Sequence, residues 1–411
     1  MSPDLSNGIA LTPVHRVLIA KGLRAFGDGF VSLLLPAYLL ELGFSPLQVG
    51  VVATTTLLGS GVLTLAVGLQ AWRFQYRTWL LAAVLLMAGT GLGFALLADF
   101  WPLMLIALVG TLNPSAGDVS VFLPLEQALL ARVVPDKQRT RIMARYSLVG
   151  SLLAAFGALS AALPAVAASA TGISTLTAIR GMFALYALLA LATGAVYRGL
   201  PQAGPDAGPP QPQAALHQSR KTVYTLAALF SLDAFGGGFV VQSLIALWLY
   251  QRFGLSISAA SAIFFWTGVL TAFSYLVAAR IASRIGLLRT MVFTHLPSSV
   301  CLILIPFMPQ LGYAIALLFV RSALSQMDVP TRSSYVMAVV PPAERAAAAS
   351  ITSVPRSLAS AASPVLAGYL LGLSPFGWAF VAGGAIKIVY DLLLLALFRQ
   401  VRPPEEMPQP D

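Results

Sequence analysis

Twelve stretches of mostly apolar residues run through this chain, each long enough to cross a bilayer, and they limit what it can fold into. They lie near residues 16–41, 47–71, 78–98, 101–130, 140–166, 174–197, 222–250, 257–282, 287–308, 311–338, 345–371 and 375–399. A spanning helix needs about 20 such residues. The expected fold class is therefore an all-α polytopic membrane protein with twelve transmembrane helices.

Composition closes the other routes. Of the 411 residues, 58% are hydrophobic and 10% charged, against roughly 25% charged in an ordinary soluble domain. So few charges cannot cover a soluble surface of this size, which excludes a soluble enzyme, a disordered chain and a secreted disulfide scaffold. A single cysteine, Cys301, excludes a disulfide framework and a cysteine-built metal cluster. The net charge of +10 fits arginines at one membrane face better than nucleic acid binding. The first residues are mixed and polar, and the apolar run after them is interrupted by Lys21, Arg24 and Asp28, so no signal peptide is expected.

One connection stands apart. Residues 198–221 are rich in proline, glycine and glutamine and read as a linker outside the bilayer. The expected organisation is a tail over 1–15, a six-helix bundle over 16–197, the linker, a second bundle over 222–399 and a tail over 400–411. With the N-terminus in the cytoplasm, sixteen lysines and arginines fall in inside loops and tails and only Arg252 falls outside. That asymmetry puts both ends and the linker in the cytoplasm of a cell (inner or plasma) membrane.

The chain also repeats itself. Residues Ala25 to Val31 (AFGDGFV) match Ala234 to Val240 (AFGGGFV) at an offset of 209. Pro124, Val133, Val134, Pro135 and Arg139 match Pro330, Val339, Val340, Pro341 and Arg345 at an offset of 206. Spans one and seven start on the same side, so the repeat is parallel, about an axis along the membrane normal. Two bundles joined this way are the build of many secondary transporters.

With twelve spans, a 6+6 repeat and a long linker, the whole chain resembles the major facilitator superfamily. That family marks the loop between spans two and three with G-x-L-A-D-R-x-G-R-R. Here the loop reads GLQAWRFQYR over 68–77, and its repeat reads ARIASRIGLL over 279–288. Arg73 and Arg284 keep the arginine, while Trp72 and Ser283 replace the acid. The resemblance implies a cytoplasmic gate latched by this acid, so a latch here needs other groups. Span five, with Gly150 to Gly157, lacks the G-x-x-x-G-P-x-x-G-G stretch of many family exporters, which weakens the case for a drug/proton antiporter.

Ionisable groups within spans cost about 2.5–3.5 kcal/mol each on insertion scales and are functional candidates by default. Spans one, four, seven and ten each carry an aspartate: Asp28, Asp118, Asp233 and Asp328. The resemblance implies that these four spans line the central cavity. At about 1.5 Å per residue, Asp28 and Asp233 lie roughly 16–18 Å from the inner ends of their helices, near the midplane. The four are the proton-coupling candidates, Asp233 first, since an apolar wall raises a carboxylate's pKa towards neutrality.

Three charge pairs have i,i+4 spacing: Arg24–Asp28, Asp328–Arg332 and Lys387–Asp391. The last is expected to be structural. The repeat offsets also align Arg24 with Asp233 and Glu126 with Arg332, opposite charges at equivalent positions. Groups near a pseudo-two-fold axis can face their equivalents, which suggests inter-half pairs Arg24–Asp233 and Glu126–Arg332 that form and break during alternating access. The alternative satisfies each charge within its own half, for example Arg24 by Asp28. Glu126, Arg332, Arg73 and Arg284 are gating candidates, together with Gly236, Gly237 and Gly238, whose run suits either a bend or close helix packing.

Arg145, Arg321 and Arg356 have no acid at i±3 or i±4, which points to an anionic or zwitterionic substrate, or to carbonyls and lipid headgroups, the better reading for Arg145. The substrate-cavity candidates are Arg24, Arg321, Arg356, Tyr38, Gln242 and Trp266. No metal or cofactor pattern is present: His15, His217 and His295 are scattered, and the phosphate loop of an ATP-driven pump is missing. The proton gradient is then the energy source, the bilayer and a small molecule are the partners, and a monomer is expected, with no role for nucleic acid.

The expected function is proton-coupled export of a small organic solute by alternating access. Proton-coupled uptake of an organic anion or zwitterion is the alternative. A non-transporting sensor or scaffold on a transporter fold is a further one, and it would tolerate Asp233→Asn with no change in any flux. An enzyme is not expected, because no catalytic constellation is visible.

Overall fold

The computed structural model describes residues 12–70, 75–115, 121–134, 136–201, 218–341 and 344–401, and among these it contains helices and no strand. Backbone polar groups find no partner in lipid, so each crossing closes its hydrogen bonds within itself. Span one is a single helix, Pro13–Glu41, started by Thr12, whose hydroxyl accepts from the His15 amide, and by Pro13 at its first position. Spans two and three are Pro46–Gln70 and Tyr76–Leu96. Span four comes in two pieces, Phe100–Val109 and Phe122–Val133. Span five is Asp136–Ser160, extended by a short helix, Leu163–Thr171, and span six is Thr175–Arg198.

The second bundle repeats the plan. Span seven is broken into Arg220–Gly238 and Gln242–Phe253. Spans eight and nine, Ile257–Ile285 and Leu287–Leu304, meet at Gly286, whose φ of 88° only glycine adopts without strain. Span ten is again in two pieces, Leu311–Leu324 and Asp328–Val339. Spans eleven and twelve are Arg345–Leu373 and Trp378–Phe398. Among the described residues, nine crossings are long and apolar enough to span a membrane by length and composition alone. Spans four and ten, which are broken, and span eleven complete the twelve.

Small residues bring the bundles together. A β-carbon on Gly50 of span two would lie 2.9 Å from the Cα of Gly368 on span eleven, so the two backbones touch. Gly268 of span eight meets Ala155 of span five in the same way, at 2.8 Å. Without a hydrophobic drive between helices in lipid, such close backbone packing carries the association. In the half of the bundle away from the chain ends, hydrogen bonds also cross between the halves. The Tyr250 hydroxyl donates to the Leu33 carbonyl (3.2 Å), the Ser243 amide to the Pro114 carbonyl (3.1 Å) and the Val365 amide to the Thr54 hydroxyl (2.9 Å). Nearer the chain ends, Arg16 donates to the Val196 carbonyl within the first half, and the Glu344 carboxylate accepts from the Gln218 and Ser219 amides within the second.

Candidate functional site

Each half holds a buried charge cluster, and the two clusters occupy repeat-equivalent places. In the first half Arg24 of span one pairs with Glu126 of span four. Glu126 is fully buried and also accepts from the hydroxyls of Tyr146 on span five and Tyr197 on span six, both at 2.6 Å. Arg24 lies over the Phe122 ring, 4.1 Å from its centroid. Three donors and an aromatic face make this burial tolerable, since an unpaired charge here would cost several kcal/mol, on the order of 3–5.

In the second half Asp233 of span seven pairs with Arg332 of span ten at 2.9 Å. Arg332 also pairs with Asp328, one turn earlier on its own helix. Asp233 takes a second cation, Lys387 of span twelve, at 2.7 Å. Behind it stands His295 of span nine, whose Nε2 is 3.5 Å from Asp233 and 3.4 Å from Lys387, and whose Nδ1 is 2.9 Å from Asp391. A continuous chain of titratable groups thus runs from Asp391 through His295, Lys387, Asp233 and Arg332 to Asp328.

The expected inter-half pairs are not what this structure contains: Arg24 and Glu126 pair with each other, as do Asp233 and Arg332. The offsets were informative in another sense. Arg24 corresponds to Asp233 and Glu126 to Arg332, so the same span-one-to-span-four bridge is built twice with its polarity reversed. Helix neighbours within a bundle sit closer than repeat mates across the axis, and the charges are satisfied there.

Two of the i,i+4 expectations also change. Asp28 receives the Tyr186 hydroxyl at 3.2 Å while Arg24 goes to Glu126. Lys387 and Asp391 do not form a private pair on the outer helix. They turn inward to Asp233 and His295. The glycines explain the reach. A β-carbon on Gly236 would sit 3.0 Å from the Gly383 carbonyl oxygen, so spans seven and twelve touch by backbone, and Gly237 leaves the Lys387 chain room. Gly238 packs as tightly against the Ser360 carbonyl and Ser363 hydroxyl of span eleven. The glycine run therefore both packs and ends the first helix of span seven, so the two readings of it hold together.

The remaining candidates are dispersed. Tyr38 is fully buried, with its hydroxyl shared between the Phe94 carbonyl of span three and the Leu97 carbonyl just beyond its end, so it does not line a cavity here. Arg321 is half-buried and its electrostatic neighbour is Cys301 of span nine, within the second bundle. Gln242 is half-buried at the start of the second piece of span seven, and Trp266 is exposed beside Phe265 at the span five–span eight seam. Arg284 and Arg145 are exposed. Asp118 and Arg73 lie outside the described residues. Arg356 is exposed on span eleven, and the buried charges of Arg332, Asp233 and Asp328 act on it. Among the described residues no group of histidine, cysteine and acids could hold a metal ion.

Sequence reasoning missed His295, Tyr146 and Tyr197. His295 carried a usable signal, an ionisable group within an apolar span. The tyrosines carried none, because nothing in the spacing of an apolar span tells which hydroxyl will meet a carboxylate.

Two pseudo-symmetric helical bundles around paired, buried charges are the architecture on which many secondary transporters are built. The sequence agrees: a profile of the Major Facilitator Superfamily matches residues 17–320 and again 226–411, and the chain belongs to that family. It is 24% identical over 410 residues to the uncharacterized membrane protein YJR124C of Saccharomyces cerevisiae, covering 92% of each chain. Its fold is shared by a bacterial homolog of the human lysosomal transporter Spinster in an inward-facing, occupied conformation, with a TM-score of 0.72, 15% identity and 97% and 98% of the two chains covered. The same holds for the xylose transporter XylE of E. coli (TM-score 0.70, 13% identity, 96% and 99% covered) and the nucleoside transporter NupG (0.69, 14%, 95% and 100%).

Proposed function

We propose that this transporter moves a small organic solute across a cell membrane by alternating access coupled to a proton gradient, in the direction of export. The observation that supports coupling is the buried chain from Asp391 to Asp328. Asp233 is held by two cations from two different helices, so it bridges spans seven, ten and twelve. Asp233 faces these two cations rather than the apolar wall expected from the sequence, so a proton reaches it as Lys387 withdraws, and span seven is then free to pivot where its helix is broken, beyond Gly238. A buried carboxylate held this way is expensive to leave unpaired, so proton arrival and cation release go together.

The lysine and arginine asymmetry supports cytoplasmic chain ends. On that orientation, the inter-half hydrogen bonds lie towards the outside, which suits a transporter that loads from the cytoplasm. Co-transport of an organic anion is the second reading, favoured by Arg356, which makes no ion pair or hydrogen bond among the described residues.

The test is a trapped pH dye in proteoliposomes, with acids, bases, zwitterions and sugars added outside. Proton exchange makes the lumen more alkaline as solute enters, whereas co-transport makes it more acidic. Asp233→Asn is expected to abolish either change. Solute flux that moves no protons, and that Asp233→Asn leaves intact, would overturn the coupling.

A further inference from the structure

Spans nine and twelve pack antiparallel, and they part around a cavity where span nine begins and span twelve stops. Deeper in the membrane they touch. A β-carbon on Gly384 would lie 2.9 Å from the Ser299 carbonyl oxygen, and Asp391 meets His295 at 2.9 Å. Towards the ends the contact opens. Leu288, Arg289 and Phe293 of span nine and Leu395 and Arg399 at the end of span twelve line a cavity of about 390 Å³.

The lining has two chemistries. Arg289 and Arg399 are exposed, and neither side chain makes an ion pair or hydrogen bond among the described residues. No acid occurs over 280–304 or 392–401 to neutralise them. Gly286 starts span nine without a side-chain cap, so the positive end of that helix adds to the two arginines. The other lining residues are apolar: Leu288 is buried, Leu395 half-buried and Phe293 exposed. Both helices continue this pattern into the membrane. Arg289, Phe293, Val300 and Leu304 follow at steps of four and seven residues, and Arg399, Leu395 and Leu392 at steps of four and three. Each set therefore shares one helix face. Phe293, Val300, Leu304 and Leu392 are all exposed, so each face is cationic at its end and apolar below.

Two guanidiniums bordering one cavity repel, and an anion between them relieves the repulsion. A free anion would use the arginines and leave the apolar walls unmatched. A phospholipid matches both.

We propose that this cavity binds an anionic phospholipid, with its phosphate between Arg289 and Arg399 and an acyl chain laid along Phe293, Leu395 and Leu392. Basic pockets between spanning helices take lipid head groups, and a guanidinium offers phosphate two parallel hydrogen bonds. The lipid ties together the helices that carry His295 and Asp391, about two turns further in. The proposal does not depend on the direction or coupling of transport.

The experiment is a thermal-shift titration of the delipidated protein in neutral detergent. The probes are dioleoyl phosphatidylglycerol, dioleoyl phosphatidylcholine and inorganic phosphate. Saturable stabilisation by phosphatidylglycerol alone is expected, because a ligand that binds the folded state raises its stability. Arg289→Gln with Arg399→Gln should weaken the apparent affinity about tenfold or more. Lysine at both positions keeps the charges without the fork and should retain part of the affinity. Arg198→Gln, at the exposed end of span six in the other bundle, should bind as the wild type does. Without lipid, the glutamine pair should melt at the wild-type temperature, since both arginines are exposed and unpaired. That control separates lost binding from lost folding.

Phosphatidylcholine as effective as phosphatidylglycerol, binding that survives the glutamine pair, or an equal loss in Arg198→Gln would each overturn the proposal. Inorganic phosphate as effective as the lipid makes this a free-anion site and overturns it too. Glu405 and Glu406 of the C-terminal tail lie outside the described residues. Stabilisation seen only after Glu405→Gln with Glu406→Gln gives the arginines to the chain's own tail, with the same consequence.

Discussion

At the scale of single residues, the molecule places charge in lipid only where several partners meet it. Glu126 illustrates the rule, with Arg24, Tyr146 and Tyr197 converging on one fully buried carboxylate. Glu126→Ala leaves Arg24 buried without its counter-charge and is expected to cost about 3–5 kcal/mol, read as a lower melting temperature and a lower yield of folded protein. Replacing the pair together, Arg24→Met with Glu126→Leu, should cost less than Glu126→Ala alone, because apolar groups of similar volume need no partner. A double change as damaging as the sum of the singles would show that the two residues act separately.

At the scale of helices, glycines decide which groups can meet. Gly238 has no room for a β-carbon, which would fall 2.1 Å from the Ser363 hydroxyl and 2.4 Å from the Ser360 carbonyl oxygen. Its neighbour Gly237 has space, with the Lys387 ammonium 3.7 Å away as the nearest atom. Gly238→Ala should therefore lower the melting temperature by several degrees, while Gly237→Ala should stay within about 0.5 kcal/mol of the wild type. Equal effects would mean that the seam between spans seven and eleven is looser than the packing requires. The same glycines mark the limit of what the sequence revealed. The positions of the spans, the repeat and the equivalence of Arg24 with Asp233 were all legible from apolar runs and offsets. The Asp328–Arg332 pair was legible too, because one helix turn contains it. Lys387 and Asp391 have the same spacing and do otherwise, since the backbone contact of Gly236 with Gly383 brings Asp233 and His295 within closer reach. Helical spacing predicts a pair only while no neighbouring helix offers a better one, and which helices touch is not written in either helix alone.

At the scale of the whole molecule, the halves are joined by two kinds of contact with different expected fates. Backbone touches such as Gly50 with Gly368 suit a pivot, while hydrogen bonds such as Tyr250 to Leu33 suit a closed door. With Cys301→Ser as background, cysteines at Leu33 and Tyr250 joined by a short reducible cross-linker should stop transport, and reductant should restore it. Transport that survives complete cross-linking would remove this contact from the gate. The reversed polarity of the two buried bridges has a consequence of another kind, for the history open to the sequence. Arg24 with Glu126 and Asp233 with Arg332 are one arrangement written in two spellings. A single charge-reversing substitution in either half leaves two like charges facing each other in the bilayer, so neither spelling converts to the other in one step. The route between them passes through a neutral pair or through a cluster with a third helix already supplying a counter-charge, as Lys387 does for Asp233. Once duplicated halves have diverged in this way, each locks its own choice, and later changes accumulate around the bridges rather than in them.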